Sequence, residues 1–201
     1  MKVLFSRLAL AAFVAIGVQG PAFAHHPIGG KLPATFIDGL LSGIGHPIIG
    51  LDHFAAIVGV GILAAIAARG VAPLLVFSAA LFAGVCLHVG KANLPAGELL
   101  VGLSTLAIGS LVMLRHGMRP AIVIALFAVA GLVHGYALGE AIVGAEASPL
   151  ISYLAGILVI QTAVSLVAYL AVRRLSRPLT FAVGALVALV GGVTAAAAAL
   201  T

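Results

Sequence analysis

Two histidines and an aspartate lie close together in residues 45–53, which read Gly-His-Pro-Ile-Ile-Gly-Leu-Asp-His. His46, Asp52 and His53 offer imidazole nitrogen and carboxylate oxygen, a set that suits Ni²⁺, Co²⁺ and Zn²⁺ and lacks the thiolates that favour Cu(I). The flanking residues are apolar, and ionisable side chains at membrane depth are so costly that they normally mark an ion or substrate path. The segment therefore predicts a metal-handling centre inside a membrane.

The spacing of His46 and His53 leaves two arrangements open. On a regular helix, seven residues return to within about 20° of the same face but about 10.5 Å further along the axis. One ion cannot bridge that gap, so either Pro47 and Gly50 bend the chain or the two histidines are successive stations. Asp52 would lie on another face, where it could orient a histidine by accepting its second ring N–H.

Further candidate ligands stand near the ends of other apolar segments. His134 is followed by Glu140 at the end of one segment, and such a pair could complete a site with the first. Glu98 begins another segment, where the helix dipole alone also explains an acid. A lone histidine such as His116 is better explained by a hydrogen bond between helices. The remaining, weaker candidates are Asp38, His88 and the adjacent His25 and His26, which are either a capture site or a processing remnant.

Composition places the chain in a membrane. Of its 201 residues, 63% are hydrophobic and 7% are charged, against about 25% charged residues in soluble domains. The net charge of +5 comes from basic residues spread singly, which argues against nucleic acid as a partner. No phosphate-binding loop of the ATP-hydrolysing type is present. The one cysteine, Cys86, cannot form an intrachain disulfide, and its apolar surroundings predict a buried thiol.

The first 24 residues resemble a secretory signal peptide. Lys2 and Arg7 precede a short apolar run, and a small-x-small site ends at Ala24. The run is shorter than the roughly 20 residues that a membrane span needs. We therefore expect residues 1–24 to be cleaved and residues 25–201 to form one transmembrane domain, with His25 outside the cytoplasm.

The mature chain is expected to be an all-α, polytopic bundle of six transmembrane helices. The predicted spans are about 34–68 with a break near 46–50, 71–90, 98–114, 121–139, 150–172 and 179–200. With the N-terminus outside, the inner loops hold Arg69, Arg115, Arg119, Arg173, Arg174 and Arg177, and the outer ones hold Lys31 and Lys91. This distribution follows the positive-inside rule. Several glycines are expected to let helices pack closely, namely Gly102, Gly109, Gly156, Gly184 and Gly191.

Two motifs resemble those of the HupE/UreJ family of nickel and cobalt permeases. Residues 46–53, preceded by a signal peptide and a mature start of His-His-Pro, carry the first, and residues 134–140 are similar to a second, His-Gly-x-Ala-His-Gly followed by an acid. The resemblance covers essentially the whole chain. In two departures, Leu138 replaces a histidine that many members have, and Glu140 directly follows Gly139, whereas many members have a residue between.

The resemblance implies transport of Ni²⁺ or Co²⁺, with the ion as substrate and no prosthetic group. The lack of a phosphate-binding loop favours secondary transport, and the predicted topology gives the direction, from the periplasm to the cytoplasm. The resemblance also implies a multi-pass protein of the bacterial inner membrane, not an enzyme, that serves hydrogenase or urease maturation proteins. The metal-handling residues that it implies are His46, Asp52, His53, Glu98, His134 and Glu140.

Two other functions use the same residues. An intramembrane zinc-dependent hydrolase would need a closed three-ligand site, and the chain lacks the His-Glu-x-x-His helix of many such enzymes. A non-transporting accessory protein would only bind or sense the metal.

Overall fold

The computed structural model describes residues 31–68, 70–114 and 118–200, which form seven α-helices and no strand. The helices are α1 (Phe36–Ile49), α2 (Leu51–Leu63), α3 (Ala72–Val89), α4 (Gly97–Leu114), α5 (Pro120–Gly139), α6 (Ala147–Ala171) and α7 (Arg177–Ala198). A π-helical turn, Ala64–Ala68, extends α2, and the 3₁₀ turns Glu140–Ile142 and Val172–Arg174 extend α5 and α6. The predicted signal peptide (residues 1–24), His25, His26, Arg69, Arg115 and His116 lie outside the described residues, so the structure does not test the predictions made for them.

Helices α3 to α7 are each long and apolar enough to cross a membrane, and α1 with α2 makes a sixth span if the two are counted as one. Many large apolar side chains on these helices face outward, as lipid-facing residues do. The prediction of an all-α membrane bundle is confirmed. The prediction that Cys86 is buried is wrong, because its side chain is exposed on α3.

The first span is broken at Gly50, where the axes of α1 and α2 differ by 79°. Pro47 has no N–H for the backbone bond of its helical turn, and α1 ends two residues later. Gly50 then ends one helix and begins the next: its N–H donates to the carbonyl of His46 at 3.0 Å, and its carbonyl accepts from the N–H of Phe54 at 2.8 Å. The chain turns sharply without losing these two backbone hydrogen bonds.

Three helix pairs pack through glycines whose missing side chains let backbones approach closely. A Cβ at any of these positions would run into the partner helix. They are Gly39, Gly43 and Gly156 between α1 and α6; Gly84, Gly131 and Gly135 between α3 and α5; and Gly102, Gly109, Gly184 and Gly191 between α4 and α7. The close packing expected at five of them is confirmed.

The order of these contacts along each chain segment gives the relative direction of the two helices in each pair. Contacts between α1 and α6, and between α3 and α5, advance together along both chains, so each pair is parallel, whereas α4 and α7 are antiparallel. One end of the bundle, here called the acidic end, carries Asp38, Glu98, Glu140 and Glu146. The opposite end, the arginine end, carries Arg119, Arg173, Arg174 and Arg177.

Adjacent glycines on α7 offer a matched test of this packing. Gly191→Ala is expected to destabilise the protein by about 1–3 kcal/mol, because its Cβ would collide with the backbone nitrogen of Leu106. Gly192→Ala should be neutral or slightly stabilising, since its Cβ would lie 3.9 Å from Leu106 Cδ1 and alanine favours helix. Thermal unfolding in detergent, followed by far-ultraviolet circular dichroism, measures both. Equal melting temperatures for the two variants would contradict this packing.

Candidate metal centre

Three histidines from three helices meet inside the bundle. His46 comes from the last turn of α1, His53 from the first turn of α2 and His134 from α5. The ring centroids of His46 and His53 are 6.0 Å apart, and those of His53 and His134 are 5.0 Å apart. The three side chains are only 5%, 7% and 1% exposed, in the same order. The break at Gly50 therefore brings together two histidines that a straight helix would hold about 10.5 Å apart.

Tyr153 of α6 fixes the proton on His46. The Tyr153 hydroxyl lies 2.6 Å from the carbonyl oxygen of Leu138 and 3.0 Å from Nδ1 of His46. A carbonyl only accepts, so the single hydroxyl proton is donated to Leu138, and the tyrosine oxygen must accept from His46. His46 therefore carries a proton on Nδ1, and in the neutral ring Nε2 is the nitrogen that can bind a metal.

The same reasoning applies to His134. The hydroxyls of Ser104 and Thr105 each donate to the carbonyl of Val101 at 2.9 Å. Their oxygens lie 3.2 and 3.3 Å from Nε2 of His134, which must be the donor to them. His134 therefore has its proton on Nε2, and its Nδ1 can only accept.

His53 completes this chain of hydrogen bonds. Its Nδ1 lies 2.8 Å from Nδ1 of His134, so the His53 N–H is the donor. In the neutral ring of His53, as in that of His46, Nε2 is then the nitrogen that could bind a metal. His134 holds His53 as outer-shell groups hold metal-binding histidines, by fixing ring orientation and tautomer. His46 and His53 therefore both carry their proton on Nδ1.

Apolar side chains lie on one side of the centre, against His134. The Phe77 ring of α3 lies 6.2 Å from the His134 ring and 6.2 Å from the Phe127 ring. Leu138, where the chain departs from the second motif, is buried, and its backbone carbonyl accepts the hydrogen bond of the Tyr153 hydroxyl. Such apolar walls lower the local dielectric and strengthen polar interactions within the centre.

Asp52 lies beside this centre in the first turn of α2 and is half-buried. Its Oδ1 accepts a hydrogen bond from the backbone N–H of His53 at 2.8 Å. A Cβ on Gly50 would lie 3.3 Å from the same oxygen and 2.9 Å from Cδ2 of His53. The carboxylate thus helps to fix the turn that carries His53.

The other predicted ligands lie apart from the histidines. Glu98 and Glu140 are exposed at the acidic end, in the first turn of α4 and directly after α5. Asp38 begins α1: its carboxylate accepts from the N–H of Thr35 at 3.0 Å, and its own N–H donates to the Thr35 hydroxyl at 3.1 Å. This is a capping box.

His88 fastens a loop at the acidic end. Its Nδ1 lies 2.6 Å from the carbonyl oxygen of Tyr136, and the two rings stack with centroids 4.2 Å apart. The Tyr136 hydroxyl donates to the carbonyl of Ala92 at 2.9 Å and accepts from the N–H of Leu94 at 3.1 Å. These bonds hold the loop between α3 and α4 against α5.

No three His, Cys, Asp or Glu side chains in the described part of the chain are grouped so that they could hold one metal ion. The centre is a row of histidines with Asp52 beside it, and the other acids lie at the acidic end. Such a row suits a transport site, from which the ion must be released, better than it suits a closed structural site.

Sequence reasoning missed Tyr153, Ser104 and Thr105, which set the tautomers of the centre. Each is a polar residue within an apolar span, and such residues normally face the bundle interior. That signal marks them as buried, but which histidine each one contacts depends on how α4 and α6 pack against their neighbours.

Fold and centre together define a multi-pass helical membrane protein with histidines buried inside the bundle. Comparison with protein-family models matches residues 12–200 to the family described as HupE / UreJ protein. The chain belongs to this family, which is associated with nickel and cobalt uptake for hydrogenase and urease. No curated protein and no solved structure gives a significant match.

Proposed function

We propose that this protein is a secondary permease that carries Ni²⁺ or Co²⁺ across the bacterial inner membrane into the cytoplasm. The observation that carries the proposal is the buried row of His46, His53 and His134, which lies inside the bundle between its two ends. Ionisable groups at that depth mark ion paths. Membership of the family supports the choice of metal and a role in supplying hydrogenase or urease maturation.

The distribution of charge gives the proposed direction. Cations would gather at the acidic end through Glu98 and Glu140, then pass to the histidines with the help of Asp52. The acidic end would face the periplasm, since the positive-inside rule places the arginine end in the cytoplasm. A divalent cation moving inward would gain about 4.6 kcal/mol per 100 mV, twice the value for a single charge. The membrane potential therefore offers a driving force that needs no ATP hydrolysis.

The row of histidines favours transport over hydrolysis. A zinc hydrolase needs three protein ligands on one ion and a bound water, and no such group of three lies in the described residues. Imidazole and carboxylate also suit Zn²⁺, so zinc belongs in every uptake assay as a competing ion.

Uptake by cells tests the proposal. Bacteria that lack their own nickel and cobalt importers should accumulate labelled Ni²⁺ and Co²⁺ when they express the protein. They should not do so with the double variant His46→Ala/His53→Ala, provided that equal amounts reach the membrane. Equal accumulation with the wild type and the double variant would refute the role of the centre.

Tyr153→Phe should lower uptake by about tenfold, the smaller end of the range for outer-shell partners of metal ligands. The change removes the oxygen that accepts from Nδ1 of His46 and leaves the ring otherwise intact. Initial rates of Ni²⁺ uptake measure the effect. Tyr169→Phe is the matched control, because the Tyr169 ring lies under Arg173 near the arginine end. Equal rates in the two variants would show that the tautomer of His46 does not matter.

A further inference from the structure

A second polar group lies buried in the bundle, away from the histidines. Gln161 of α6 is 1% exposed, and its Nε2 donates to the hydroxyl oxygen of Ser78 on α3. Its other polar atom, Oε1, is buried and accepts no hydrogen bond from the described residues. A buried amide oxygen without a donor is costly and calls for an explanation.

The serine fixes which way the amide points. The Ser78 hydroxyl donates its one proton to the carbonyl of Leu74 at 2.9 Å. Its oxygen is then left to accept, so the atom of Gln161 that faces it must be the N–H₂ group. A flipped amide would place two acceptors against each other. The unpartnered atom of Gln161 is therefore the carbonyl oxygen, which is a ligand for cations and an acceptor for their bound water.

Gln161 lies further along α6 toward the arginine end than the histidine centre does. It follows Tyr153, the partner of His46, by eight residues, which is about 12 Å along a helix. Ser78 directly follows Phe77, whose ring lies 6.2 Å from that of His134. Between Tyr153 and Gln161 the buried face of α6 carries the apolar Ile157. The amide is thus the next polar group inward from the centre on this face.

We infer that Oε1 of Gln161 is a second station on the path, where it takes up a divalent cation with its bound water after release from the histidines. The inference rests on the proposed transport. A neutral oxygen donor suits this position, because a site between the centre and the exit must bind weakly enough for the ion to leave. Ser78 acts as the positioning residue that aims the oxygen.

Purified protein in liposomes, with Ni²⁺ as the only transported metal, tests this station. Gln161→Leu removes the oxygen and should lower the initial rate of uptake by about tenfold or more, as loss of a metal's supporting groups does. Ser78→Ala breaks the same interhelical hydrogen bond but keeps the oxygen. It should lower the rate by less than about threefold, a factor equivalent to an average bond of this kind. Ni²⁺ bound per protein in detergent should match the wild type in both variants.

Several outcomes overturn the inference. Equal losses of rate in Gln161→Leu and Ser78→Ala would show that the pair has a purely structural role. A wild-type rate in Gln161→Leu would show that the ion does not depend on the Gln161 oxygen. Gln161→Met, which keeps the length of the side chain, replaces the leucine variant if that one fails to elute as a single species. If the wild type transports Ni²⁺, His53→Ala does not and Gln161→Met still does, the role of Gln161 is refuted but the proposed transport is not. Absence of wild-type uptake would overturn both the station and the proposed transport.

Discussion

Replacing His53 with alanine is expected to reduce the accumulation of Ni²⁺ and Co²⁺ in cells by about a hundredfold, to background. The variant removes one of the two proposed ligand nitrogens and also the donor to Nδ1 of His134, which lies 2.8 Å away. His134 would then be left with a buried acceptor and no partner from α2. Accumulated metal per amount of protein in the membrane is the measurement, so that any loss of folded protein is accounted for.

His88→Ala is the control for His53→Ala, because it also removes one histidine. The His88 ring lies against Tyr136 near the acidic end, and its Nδ1 bonds to a backbone carbonyl. Because this histidine holds a loop, its loss should leave most of the uptake intact. If His88→Ala abolished uptake while His53→Ala did not, the metal path would have to run through the loop at the acidic end and not through the centre.

Gly50→Val is expected to lower uptake by about a hundredfold, since misplacing a group by about 1 Å can have an effect of that size. A Cβ at this position would lie 2.9 Å from Cδ2 of His53 and 3.3 Å from the carbonyl oxygen of His46. The His53 ring cannot move aside freely, because His134 holds its other side. The variant should therefore displace His53 although no proposed ligand has been changed.

Gly97→Val provides the control for the added side chain. A Cβ on Gly97 would lie 3.8 Å from the nearest atom of Tyr136, which is an ordinary contact. Uptake rates and melting temperatures of both variants separate a local effect from unfolding. A Gly50→Val protein that folds and transports like the wild type would show that the geometry of the break is unimportant.

Composition and hydrophobic runs were sufficient to predict the class of fold. Apolar segments of span length, separated by short polar loops, leave few options other than a helical membrane bundle. Pro47 and Gly50 also indicated a break in the first span. The 79° angle was not predictable from them, because the direction of α2 after Gly50 depends on its packing against α6, where Gly61 meets Ser165.

The centre was predictable in part. His46 and His53 stood out because imidazoles are rare in apolar sequence, and His134 was the expected contributor from another helix. The partners that set their protonation were not predictable, because Tyr153 and His46 are 107 residues apart and meet only through the pairing of α1 with α6. The prediction that Cys86 is buried failed for a related reason. A residue in an apolar membrane helix can face lipid as readily as the core, so composition does not show which side is buried.

Uptake by liposomes that contain only this protein tests most directly whether the histidine centre conducts metal. With an inside-negative potential, the wild type should import Ni²⁺ and Co²⁺ at a rate that rises with the potential, and the His46→Ala/His53→Ala double variant should not exceed protein-free liposomes. Wild-type liposomes that bind these metals but import neither would contradict transport and indicate an accessory that only holds the metal. Import by the double variant at the wild-type rate would contradict a path through these histidines.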